Sequence, residues 1–136
     1  MIKPVKTNLV NIWEDSDEII HVEFLEHFEI SDDDAKEYLR TAFNSTDNKA
    51  HFVLMDLRRI SYFDSIGIKH LIAPETERYT KAVAALINIS SPFISNGINF
   101  LLKFKNDPFP IRLFTTEKEC IDWLLSLKKE STLTKL

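Results

Sequence analysis

The sequence predicts an α/β domain: an N-terminal β-hairpin, then βαβα units, forming a mixed, mostly parallel sheet of about five strands with four helices. Three observations carry this. Two short β-rich runs, 9–14 and 18–25, flank the turn-forming Asp15-Ser16-Asp17. Later apolar runs at 51–57, 83–89 and 111–115 alternate with stretches whose apolar residues recur at helical spacing. The chain has 136 residues, 44% hydrophobic and 28% charged, which suits one domain with an ordered core over about 8–128.

In chain order, 1–7 reads as a loose start. In the second strand Ile20, Val22 and Phe24 share one face, while Ile19, His21, Glu23 and Leu25 make a mixed one. Ser31-Asp32-Asp33-Asp34 opens a helix: Ser31 is an N-cap and Asp34 completes a capping box. Ala35, Tyr38, Leu39, Ala42 and Phe43 form its inward stripe, and Thr46-Asp47-Asn48 ends it. The run 51–57 is nearly all apolar, the mark of a strand covered on both faces. A polar turn over 61–65 leads to a short helix over 66–73, and Pro74 starts an offset segment over 74–79. After the strand 83–89, Ser90 or Ser91 caps a helix that carries Phe93, Ile94, Gly97, Ile98, Leu101 and Leu102 on its buried stripe. Asp107-Pro108-Phe109-Pro110 stops it. The strand 111–115 follows, then a closing helix with a second capping box, Thr116 and Glu119. The expected end is a frayed polar tail over 128–136. Strand–helix alternation after the hairpin implies parallel pairing through right-handed crossovers.

Composition narrows the function classes. A net charge of −4 argues against nucleic acid as the main partner. A single cysteine, Cys120, rules out an internal disulfide and fits a reducing compartment. No charged-then-apolar leader opens the chain and no apolar run approaches membrane-spanning length, so a cytoplasmic location is expected. With Gly67 and Gly97 the only glycines, there is no glycine-rich phosphate loop. No cofactor is expected.

In open α/β sheets ligands gather at the carboxyl ends of strands, where the loops 58–65, 90–93 and 115–117 converge here. The first is richest: Asp56, Arg58, Arg59, Ser61, Tyr62, Asp64 and Ser65, followed by Gly67. Asp56 and Asp64 read either as an acid/base or metal pair, or as a backbone-bonding residue and a helix cap. Arg58 and Arg59 read as an anion clamp or as solvated arginines. Gly67 allows close backbone approach or simply tight packing. His21, His27, His51 and His70 show no ligand spacing, and Cys120 lies on an apolar helical stripe. Both faces of the central strands are apolar: Val53, Met55 and Leu57 oppose Phe52 and Leu54, and Val83, Ala85 and Ile87 oppose Ala84 and Leu86. If helices covered one face only, a homodimer partner or a lipid-like ligand would have to cover the other.

The stretch from Asp56-Leu57-Arg58-Arg59 through Asp64-Ser65-Ile66-Gly67 resembles the STAS domain of bacterial anti-sigma factor antagonists, which carry Asp-Leu and then Asp-Ser-Ser-Gly at a helix start. More of the chain resembles small uncharacterised bacterial STAS-like proteins, through Ile12-Trp13-Glu14-Asp15, Val22-Glu23-Phe24, Asp34-Ala35-Lys36, Phe109-Pro110-Ile111-Arg112-Leu113-Phe114 and Trp123-Leu124. Some STAS-like folds are also similar to lipid-carrying CRAL-TRIO domains. The resemblance implies a non-enzymatic regulatory module that binds a protein partner. In the antagonists phosphorylation of the second Ser is the switch; here Ile66 stands at that position and Ser65 matches the first Ser. Three readings follow: a protein-interaction module using the 58–67 loop, a carrier of an apolar or lipid-like ligand, and an enzyme using Asp56 and Asp64.

Overall fold

The computed structural model describes residues 2–46, 49–63, 79–88 and 109–134. The elements are β1 (Val5–Lys6), β2 (Val10–Glu14), β3 (Ile19–Phe24), β4 (His27–Ile30), α1 (Asp32–Ser45), β5 (His51–Asp56), β6 (Ile60–Phe63), β7 (Thr80–Leu86), β8 (Ile111–Phe114) and α2 (Glu117–Thr134). A six-stranded sheet runs in the order β1-β2-β3-β5-β7-β8, and β4 pairs with β6 in a separate two-stranded sheet. The β1–β2 and β2–β3 pairings are antiparallel; β3–β5, β5–β7, β7–β8 and β4–β6 are parallel.

The hairpin and the parallel pairing of the later strands are as expected, but the strand count is higher. Residues 2–7 do not form a loose start. Val5 and Lys6 pair with Ile12 and Asn11, Ile2 is buried, and its N–H donates to the Glu14 carboxylate at 2.6 Å. The anchoring carboxylate belongs to another strand, so local pattern does not reveal it. The polar turn expected over 61–65 is partly strand: Ile60–Phe63 pairs with His27–Ile30, a partner far away in sequence. The tail is not frayed from 128, since α2 continues to Thr134. Among the described residues there are two helices; those expected over 66–73 and 74–79, and the one capped at Ser90 or Ser91, lie outside the described residues.

Local chemistry explains the ends of these elements. Ser31 accepts the Asp34 N–H at 3.1 Å and Asp34 accepts the Ser31 N–H at 3.2 Å, a complete capping box. At α2 the box is half made. Thr116 Oγ1 accepts the Glu119 N–H at 3.3 Å, while the Glu119 carboxylate accepts the Thr116 hydroxyl. The β2–β3 turn is held by Asp15, whose Oδ1 accepts the N–H groups of Asp17 and Ile19. Glu18 closes that turn in the left-handed region, φ 63°, a conformation that costs a non-glycine residue about 1–2 kcal/mol.

The sheet has a core on each face. Ile20, Val22, Phe24, Val53, Met55, Leu57, Val83, Ala85 and Ile87 line one, joined by Tyr38 of α1 and by Ile60. Ile19, Phe52, Leu54, Ala84 and Leu86 line the other, against Cys120 and Leu124 of α2. The alternation expected for β3, β5 and β7 is therefore realised. Because the chain covers both faces itself, the apolar strands give no support to a homodimer partner or a lipid-like ligand. Among the described residues no helix is long and apolar enough to cross a membrane.

Candidate functional site at the carboxyl rim of the sheet

β5 ends at Asp56, and the next N–H, of Leu57, donates to the Leu86 carbonyl at 2.8 Å, locking the strand end onto β7. The Ile60 N–H then donates back to the Leu57 carbonyl at 3.2 Å. Arg58 and Arg59 are thus the two central residues of a tight turn, and both are exposed. Arg58 folds back onto Asp56: Nε donates to Oδ1 at 3.0 Å, Nη2 to Oδ2 at 2.8 Å, and the Arg58 backbone N–H to Oδ1 at 3.1 Å. Donating to the Asp56 carboxylate raises the Arg58 pKa, and the charges of Asp56, Glu117 and Glu23 add to it.

Neighbouring elements supply those carboxylates. The β3–β5 register places Glu23 beside Asp56, and Glu23 also accepts the Asn11 side-chain N–H at 3.1 Å. Glu117 enters from the first turn of α2. Arg58 of the first loop and Glu117 of the 115–117 segment therefore lie near each other at this rim. The 90–93 segment lies outside the described residues.

Of the residues singled out from sequence, Asp56, Arg58 and Arg59 are brought together. Ser61 and Tyr62 follow within β6, where Tyr62 pairs with Glu29 of β4. Asp64, Ser65 and Gly67 lie outside the described residues. The Asp56 carboxylate accepts three bonds from Arg58, so little of its capacity is left for a metal or a substrate proton. Among the described residues no group of three or more His, Cys, Asp or Glu side chains could hold a metal ion. Cys120 is fully buried. Burial, with the nearby charges of Asp56, Glu119 and Glu117, pushes its thiol up to about 12, which leaves it protonated and unreactive.

One cluster escaped the reading from sequence. His21 is buried on the face that carries α2. Its Nε2 lies 2.8 Å from Asp15 Oδ2 and its Nδ1 4.0 Å from Glu117 Oε1. Its ring stacks on Trp13 with centroids 5.0 Å apart and planes 11° apart. The hairpin register, which sets Trp13 opposite His21, is the sequence signal that could have located the stack. Burial pushes the Asp15 carboxyl up, but hydrogen bonds from His21 and from the Ile19 and Asp17 N–H groups outweigh it and hold the carboxyl below its usual range.

Comparison with known families now bears on this geometry. Residues 12–128 match the model of a family described as a domain of unknown function, DUF7793. The chain belongs to that family. No curated protein matches it in sequence. Among solved structures, the DUF7793 domain is similar to an anti-sigma factor antagonist from Mycobacterium paratuberculosis at 20% identity and a TM-score of 0.57, covering 91% of this chain and 94% of that one. It is also similar to an uncharacterised DUF3478 protein with a SpoIIAA-like fold from Shewanella loihica PV-4. That match has 12% identity and a TM-score of 0.56, over 88% of this chain and 98% of the other. The fold of the DUF7793 domain is STAS-like.

Proposed function

We propose that this chain is a non-enzymatic STAS-like regulatory module that works by binding a partner protein through the turn at Arg58 and Arg59 and the segment that continues through Ser61, Tyr62, Asp64, Ser65 and Gly67. The observation that carries this reading is the Asp56–Arg58 fork. It folds Arg58 back onto Asp56 and leaves Arg59 exposed beside it in the same turn at the carboxyl rim. The likeness in fold to an anti-sigma factor antagonist supports a protein as the partner. The engagement of Asp56 by Arg58 favours an interaction surface over acid/base chemistry with Asp64.

The test begins with crosslinking in the native cells to identify a partner. Titration calorimetry with that partner then compares Arg59→Glu and Ser65→Asp with the unchanged protein. Both variants are expected to weaken binding about tenfold or more, while their thermal melts stay within the ordinary range for surface substitutions. Binding by both variants as tight as by the unchanged protein would exclude this surface.

A further inference from the structure

At the opposite end of the sheet, where β5 and β7 begin, lies a cavity of about 410 Å³. Among the described residues, Lys49, Phe52, Lys81, Lys128, Ser131 and Glu18 shape it. Among the described residues three ammonium groups share this space with the Glu18 carboxylate; Lys128 pairs with Glu18, which leaves Lys49 and Lys81 in excess, while His51, also in the lining, lies 3.9 Å from the Glu14 carboxylate. Like charges gathered at the edge of a low-dielectric sheet repel one another.

The backbone delivers one of these lysines. Between His51 and Phe52 the β5–β7 register shifts: His51 pairs with Thr80, but Phe52 pairs with Ala82. Lys81 is the extra residue of this bulge, and a bulge re-aims the side chain it carries. The Lys81 ammonium consequently lies over the Phe52 ring, 5.4 Å from its centroid. Regular parallel pairing would have sent Lys81 and Phe52 to opposite faces. Lys49 comes from the approach to β5, and Lys128 from the last turns of α2. Lys128 also has a fold role, since its Nζ lies 3.6 Å from Glu18 Oε1 and donates to the Asp17 carbonyl.

We propose that this cavity binds a small phosphate monoester. A phosphate monoester carries about −1.5 to −2 charges at neutral pH, which matches the excess of positive charge. Lysines bind phosphate as point charges and suit a shallow, partly open site. Phe52 itself is only 7% exposed and lies under the Lys81 ammonium, so it shapes the wall of the cavity and offers no open ring face. The volume falls in the range of small-molecule sites, about 300–1,000 Å³.

Phenyl phosphate is a direct probe. Titrated into ¹⁵N-labelled protein, it is expected to give saturable NMR shifts centred on Lys49–Phe52, Lys81 and Lys128–Ser131, with a Kd at or below about 1 mM that weakens as salt is added. Lys49→Met and Lys81→Met should each weaken it several-fold, and the double variant should abolish saturation. Lys118→Met, an exposed lysine at the other end of α2, should bind as the unchanged protein does. Inorganic phosphate should bind more weakly, and phenol should not bind. Absence of saturation, full binding by a double variant whose thermal melt is unchanged, or equal binding of phenol would overturn the proposal. Equal binding of inorganic phosphate would overturn the monoester as the ligand.

Discussion

Asp15 joins the hairpin turn to a buried imidazole. One carboxylate oxygen accepts two backbone N–H groups, and the other lies against His21. Its folded pKa is depressed, so the native state holds its proton less tightly than the unfolded chain does. The resulting stability is fully present above the ordinary aspartate range and is lost as the pH falls through the folded value. Asp15→Asn is therefore expected to lower stability at neutral pH by about 1–2 kcal/mol. The loss should shrink as the pH falls through the acid limb. Urea denaturation across that limb checks the sign: a constant loss at every pH would show that the carboxylate charge is not the stabilising feature. Asp56 is a different case, because its partner Arg58 is half exposed and solvent screens the pair. Its fork has more to do with orienting the turn than with overall stability.

Element ends show why similar sequence signals have unequal strength. Ser31/Asp34 and Thr116/Glu119 have the same spacing, yet only the first closes in both directions. Asp34 is short and reaches back to the Ser31 N–H, whereas the longer Glu119 takes the Thr116 hydroxyl instead. Ser31→Ala is expected to cost about 1–2 kcal/mol, and Thr116→Ala less, towards about 0.5 kcal/mol. Equilibrium urea melts of the two variants compare them directly, and the reverse order would show that the box geometry does not control either helix. The bulge at Lys81 is likewise an element-level feature, since its cause is the pairing of β5 with β7 and not any propensity of Lys81 itself.

For the whole molecule, the closing helix decides whether the sheet is sealed. Leu124 is fully buried among Ile19, Phe52, Leu54 and Leu86, while Leu125 is only partly buried at the margin of the same cluster. Leu124→Ala is expected to cost about 2–5 kcal/mol, and Leu125→Ala clearly less. Chemical denaturation measures both, and a loss below about 1 kcal/mol for Leu124→Ala would mean that α2 does not seal this face.

The sequence by itself determined the hairpin, the parallel core strands with their two-sided alternation, the Ser31 cap, and the stretch around Asp56 that bears the STAS-like resemblance. Each is written in residues close together in the chain, through period, turn chemistry or motif. Tertiary structure alone decided the rest. β1 and β6 exist because distant strands offer them hydrogen-bonding partners, and Ile2 is held by a carboxylate in β2. The faces of the sheet are closed by helices whose docking no local pattern specifies. The His21 stack and the lysine-lined cavity each gather groups from elements that meet only through the sheet's register. Local propensity is a property of neighbours in sequence; these sites are properties of neighbours in space, and the packing that creates them is settled only when the whole chain has folded.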